Sequence, residues 1–179
     1  MACDITLGRI LPCKDSVGGL DSVYFINNGD ATGYTYDVTD TDLIATVTGT
    51  PTAFKWDLKG TSTFEQTINS SIETGTSFFE QTLTLNFNKL DIATHKQLKL
   101  LVYNQPTVIV KDNNGSFFLA GLQFGMDVTG GTIVTGGAMG DMSGYTLTLV
   151  GREKVPANFI DAADEAALAT AGFTITLGA

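Results

Sequence analysis

Few side chains in this sequence are of a type and spacing that could do chemistry. His95 is the single histidine, and in "KLDIATHKQLKLL" it lies four residues from both Asp91 and Lys99. On a helix that spacing makes an ordinary surface set of charges. General-base work would need a nucleophile presented to the imidazole, and the sequence holds no G-x-S-x-G elbow. Asp37, Asp40 and Asp42 could pair as the carboxylates of a glycosidase, but no aromatic sugar-binding setting accompanies them. Asp40 and Asp42 also lack the downstream Gly and Glu of an EF-hand calcium loop. Cys3 and Cys13 fall short of a zinc site, which wants four ligands. In a reducing cytoplasm they read as thiols that pack as small apolar residues, with a bond between them as the alternative. No residue is assigned a catalytic, cofactor-binding or metal-binding role.

The stretch "DVTGGTIVTGGAMGDMSGYTLTLVGRE" holds seven glycines in residues 127 to 153 and poses the same question. A phosphate-cradling loop needs glycines at set intervals, a helix N-terminus after them, and usually a lysine. Here no lysine occurs between Lys111 and Lys154, and neither G-x-G-x-x-G nor G-x-x-x-x-G-K-[ST] fits. The glycines give way to alternation: Tyr145, Leu147 and Leu149 against Thr146, Thr148 and Val150. Period two is a strand signal. The glycines therefore read as turn and bulge geometry, with residues 130 to 144 expected to form a mobile hairpin tip. Within it Gly137, Met139, Asp141 and Met142 are the candidate subunit-interface residues, because soft methionine side chains fill irregular pockets on a neighbour. An ordinary hairpin packed on its own core is the alternative.

The elements that must position these residues are mostly strands. Short β-type runs stand at 22–26, 34–39, 43–48, 53–59 and 64–68, punctuated by Thr, Gly and Asn-Asn-Gly-Asp. In "FFEQTLTLNF" the residues Phe79, Gln81, Leu83, Leu85 and Phe87 fall on one face. A helix is expected at about 91–104, capped by Asp91 and with Leu90, Ala93, Gln97, Leu98, Leu101 and Val102 near helical spacing. "TVIVKDNNGSFFLAGLQFGMDV" reads as one hairpin turning at Asp112-Asn113-Asn114-Gly115. A second short helix is expected at about 159–171, ending at Gly172, before a last strand in "FTITLG". Trp56, alone of its kind, reads as a core anchor. The expected fold is mainly β: one domain over 1–179, a barrel or sandwich of antiparallel strands with two helices. Residues 1–20 could form an extended arm.

Composition suits an ordered globular domain, with 43% hydrophobic and 16% charged residues. No apolar run is long enough for a membrane span, and the early Asp4 argues against a signal peptide, so a cytoplasmic product is expected. The net charge of −9 is unevenly spread. No base stands between Lys14 and Lys55, and none between Lys111 and Arg152, although aspartates recur in both intervals. Residues 55 to 111 are close to balanced, with six bases against five acids.

The run "TFEQTINSSIETGTSFFEQTLTLNFNKLD", the helix after it, "VIVKDNNGSFFLAGLQFGMDVTGG" and "GDMSGYTLTLVGRE" resemble the tail tube subunits and related ring proteins of tailed bacteriophages. The likeness covers roughly residues 53 to 155 and rests on the order of elements. It implies a virion structural protein, assembled in the host cytoplasm, with a barrel or sandwich and one flanking helix. Such subunits self-assemble into rings, usually hexamers, whose strands continue from subunit to subunit, and the rings stack into a tube. It implies no cofactor and no catalysis; the partners are copies of the chain and other phage tail proteins. The second helix departs from the pattern and leaves open a hub, completion or connector ring. A capsid or fibre decoration, or a glycan-binding module, is the competing class. In the tube reading an acidic channel wall lets DNA pass through the lumen without specific binding.

With acids outnumbering bases and no basic stripe in the sequence, the protein should not retard double-stranded DNA in a gel at any salt concentration. Salt-sensitive retardation would overturn this, and would point to a basic face built from Lys55, Lys59, Lys89, Lys96, Lys99 and Lys111.

Overall fold

The computed structural model describes residues 7–10, 13–58 and 61–178. Its strands are β1 (Leu20–Ile26), β2 (Ala31–Tyr36), β3 (Leu43–Gly49), β4 (Thr52–Asp57), β5 (Thr63–Ser71) and β6 (Thr76–Asn88). After helix α1 (Ile92–Leu101) come β7 (Thr107–Asp112), β8 (Phe117–Ala120), β9 (Asp127–Val134), β10 (Gly144–Glu153) and β11 (Asn158–Ile160). Helix α2 (Glu165–Thr170) and β12 (Thr174–Leu177) close the chain. The strands form an eight-stranded sheet, in the order β12-β4-β1-β7-β8-β11-β3-β2, and a four-stranded sheet, β5-β6-β10-β9.

The larger sheet must curl. Only Thr50 and Pro51 separate β3 from β4, yet the two strands stand five places apart in the sheet order. In a flat sheet five steps span roughly 24 Å, whereas the link from Gly49 to Thr52 reaches at most about 11 Å. Curling brings the two ends together, and the α2–β12 segment ties them. Val47 N–H donates to Ala171 O at 2.8 Å, and Thr174 N–H donates to Pro51 O at 2.9 Å. β12 then pairs in parallel with β4. The curl does not close, because β2 and β12 remain edges.

A curled sheet with two buried faces needs two cores, and the central strands supply both by alternation. In β1, Val23 and Phe25 face the smaller sheet, where Leu83, Leu85, Phe87, Leu147 and Leu149 meet Val108 and Val110 of β7. Trp56 packs edge-on against Phe25 and Phe87 there, so it does anchor that core. The alternate residues Tyr24, Ile26 and Ile109 face the concave side, which is filled by Leu168 and Ala171 of the α2 segment and by Phe173. The result is a β-sandwich with α2 inside the curl and α1 against the outer core. The barrel-or-sandwich expectation is thereby settled as a sandwich.

Several sequence readings fall where expected. The β7–β8 hairpin turns at Asp112–Gly115, with Gly115 at φ +86°. Asp91 caps α1 by accepting from Ala93 and Thr94 N–H, and Leu98 and Leu101 are its buried residues, although Val102 is exposed. Two readings change. The helix expected from 159 begins only at Glu165, because Asn158–Ile160 are captured as a strand between β8 and β3. Asp164 then starts the helix, its side chain accepting from Ala167 N–H, and Gly172 at φ +109° ends it. The hairpin expected to run on to Val128 stops at Ala120. Residues 121–126, with Gly121 and Gly125 at positive φ, carry the chain to the other sheet.

The register of β10 on β6 pairs Gly144 with Asn88. A Cβ at Gly144 would lie 2.0 Å from Phe87 O, whereas one at Gly140 meets nothing within 4 Å. Gly144→Ala is therefore expected to destabilise by about 1–3 kcal/mol in denaturant unfolding, with Gly140→Ala near neutral. Equal effects would show that this register is not held by close backbone approach.

Candidate functional site

The four interface candidates fall together in the loop between β9 and β10, residues 135 to 143. Residues 130–134, expected in the tip, instead belong to β9 and pair with β10. The Asp141 carboxylate closes the loop, accepting from Gly137 N–H at 2.9 Å and Ala138 N–H at 2.7 Å. Asp141 N–H returns to Ala138 O. The Ala138 and Gly137 amides hold the Asp141 carboxyl below the usual carboxylate range. Gly136, at φ +74°, permits the turn, and a Cβ there would meet Asp141 Cβ at 2.9 Å. Asp141 is thus spent on the loop's own backbone, and the methionines are what the loop offers outward. Met139 is fully exposed and Met142 40% exposed.

This loop sits at one margin of the smaller sheet, whose two outer strands are β9 and β5. β9 is exposed along nearly its whole length and carries Ile133 into solvent. At the other margin the β5–β6 hairpin outruns its neighbour, since β10 accompanies β6 only as far as Phe79. Ile68, opposite Phe79 at the base of the overhang, is 70% exposed, and beyond it the two-stranded arm turns at Ile72, 99% exposed. Unpaired strand edges bearing exposed apolar residues are surfaces that other strands can join.

The remaining chemistry is structural in character. Tyr24 O–H donates to Glu165 Oε1 at 2.9 Å, and Lys55 Nζ pairs with the same oxygen at 2.5 Å and with Asp57 Oδ1 at 3.3 Å. Lys55 and Tyr24 face each other across β4 and β1, so the cluster fastens the first turn of α2 to the curled sheet. Burial pushes the Tyr24 phenol up to about 12. The hydrogen bond from Lys55 holds the Glu165 carboxyl down, and the same bond raises Lys55. Two further buried polar groups hold the sheet-crossing segment: Gln81 Oε1 accepts from Gly121 N–H, and Glu153 Oε1 from Gln123 and Phe124 N–H.

The other sequence candidates are dispersed. His95 is exposed on α1, its ring 6.3 Å from Tyr145, while the Asp91 carboxylate is used in capping. Asp37 accepts from Thr39 and Asp40 N–H, bonds that lower its carboxyl, and Asp40 accepts from Asp42 N–H. These acids form backbone turns. Cys13 is a free, exposed thiol; Cys3 lies outside the described residues. Residues 17 and 18 dock on the β7–β8 turn through Asn113 and Asn114. Among the described residues no three His, Cys, Asp or Glu side chains converge as a metal site, and no helix is long and apolar enough to cross a membrane. An open groove of about 530 Å³ is lined by Leu43, Phe117, Phe159 and Ile160 and rimmed by Asp40, Asp42 and Asp161.

Sequence reasoning missed the Tyr24–Lys55–Glu165 cluster, which joins residues far apart in the chain. It also missed Glu153, whose only signal was a charge at the inward phase of the β10 alternation.

No protein-family description and no curated protein matches this chain. Among solved structures it is similar to a chain of the "Virion of native gene transfer agent (GTA) particle". That likeness covers 59% of this chain and 88% of the other, at 11% identity and a TM-score of 0.33. So loose a likeness leaves fold and function to be argued from the geometry.

The cluster has a pH consequence. A phenol raised in the folded state contributes stability that is fully present below its ordinary value of 10.0 and is lost as pH climbs through about 12. The thermal midpoint should therefore fall across that window, and fall less steeply in Tyr24→Phe, leaving the contributions of Lys55 and of the Tyr34 phenol, which burial also raises. Parallel curves for the two proteins would show that Tyr24 is not the group responsible.

Proposed function

We propose that this chain is a virion structural subunit without catalysis, one that assembles with copies of itself into rings stacking as a phage tail tube. The observation that carries the reading is the pair of free margins on the smaller sheet. An eight-residue edge strand, β9, is exposed along most of its length, though Val128 packs on the core, and the opposite margin holds Ile68 and, at the tip of the two-stranded arm, Ile72 in solvent. A lone subunit gains nothing from apolar side chains at unpaired edges, and risks aggregation. In a ring the edge of one copy is the template for the next, and unlike patches meeting head to tail close into rings when the rotation between copies closes. The β9–β10 loop extends the same margin, and Met139 and Met142 supply adaptable side chains to a neighbouring subunit. The acidic balance of the chain suits a channel through which DNA slides unbound.

Light scattering and negative-stain microscopy of the purified protein test this directly. Rings or tubes are expected, and Met139→Asp with Met142→Asp should reduce assembly while the fold, followed by circular dichroism, persists. Hydrogen exchange across 130 to 144 should be slower in the assembly than in free subunits. A monodisperse monomer or trimer at high concentration in several salts would overturn the reading in favour of a decoration or glycan-binding module.

A further inference from the structure

Helix α1 buries very little. Leu98 and Leu101 reach the core, yet Ile92, Leu100 and Tyr103 are 88%, 55% and 82% exposed. With Lys96 and Lys99 these residues fall at i, i+4, i+7, i+8 and i+11, a single stripe opposite the buried one. Neither lysine has an ion-pair partner among the described residues, and neither does the adjacent exposed Lys89. In a chain of net charge −9 this is an apolar face ringed by uncompensated bases.

The groove beside β11 has the opposite character. Its floor is apolar, with Phe159 48% exposed, and its rim carries the exposed Asp40, Asp42 and Asp161. None of those three carboxylates pairs with a base among the described residues. The groove and α1 cannot satisfy each other within one subunit. α1 leads into β7 at Thr107, while the groove is lined by Gly115 and Phe117, past the far end of the same strand. Six residues of strand place them roughly 20 Å apart.

We propose that the α1 stripe of one subunit seats in the acidic groove of a second copy of this chain. Apolar floor meets apolar stripe, and the aspartate rim meets Lys96 and Lys99. Because the two patches are different and lie at opposite ends of the fold, the contact is head-to-tail and repeats from copy to copy. The inference rests on the self-assembly reading above and supplies it with a specific, charge-paired contact separate from the strand edges.

Charge reversal tests it. Lys96→Glu with Lys99→Glu in one protein, and Asp42→Lys with Asp161→Lys in another, should each raise the concentration for half-assembly about tenfold or more. All substituted positions are exposed, so both variants should fold, which circular dichroism checks. Mixing them should restore assembly, since each helix then meets an oppositely charged groove in the other variant. A chain carrying all four changes should assemble as well. If the wild type assembles and the reversed variants assemble equally, or their mixture stays apart, this contact is wrong while self-assembly stands. If the mixed variants bind some other virion protein but not each other, a second copy is the wrong occupant. A wild type that never assembles removes both.

Discussion

The connection from β3 to β4 is the constraint on which the rest of the architecture depends. Two residues must bridge strands that stand five places apart, and the sheet can meet that only by curling. Curling creates a concave side, and a single short helix packs into it. α2 is six residues long and contributes Leu168, with Ala171 and Phe173 just beyond it. A helix this short has little stability of its own, and tertiary contacts must hold it. The Tyr24–Lys55–Glu165 cluster and the bonds at Ala171 and Thr174 do so. The convex side takes the four-stranded sheet, whose β9 and β10 follow the crossing at 121–126 that Gln81 and Glu153 pin.

How much of this was legible in the sequence depends on the range over which each signal acts. Alternation in β6 and β10 named the inward faces correctly, because period two is a local consequence of strand geometry. The Asp112–Gly115 turn and the Asp91 cap were equally local. The start of α2 was misread because "NFID" has no strong helix signal of its own and is claimed by parallel pairing with β3, more than a hundred residues earlier. The sheet crossing was hidden for a similar reason: glycines at 121 and 125 mark a turn, but not which sheet the next strand will join.

The candidate site shows the same division. The glycine-rich stretch was legible as backbone geometry, and Gly136 and Gly144 occupy positions where a Cβ would strike neighbouring atoms. Its closure by Asp141 was not legible, because an aspartate beside glycines serves equally as solvating charge or as turn acceptor. The uneven charge along the chain gains meaning only in three dimensions. Acids distant in sequence, Asp42 and Asp161, meet on one rim, while two of the six lysines in the nearly balanced middle of the chain, Lys96 and Lys99, stand on one helix.

These features separate the residues that hold the subunit together from those left over. Inward positions are filled, the buried carboxylate of Glu153 is occupied by backbone amides, and the carboxylate of Glu165 is taken up by Lys55 and Tyr24. Gln81 Nε2 and Asn158 Oδ1 are buried without a hydrogen-bond partner, but among the described residues the unpartnered apolar groups lie at margins: the arm at Ile72, the edge strand at Ile133, the loop at Met139 and the outer stripe of α1. An enzyme concentrates its unsatisfied polar groups in one concave place, where a substrate completes them. Here the two buried unsatisfied atoms, on Gln81 and Asn158, stand in separate strands, and the exposed incomplete groups are apolar or charged, spread around the perimeter and paired in character across the molecule. Perimeter features of that kind suit the self-assembly proposed above, in which neighbours on several sides would complete them together.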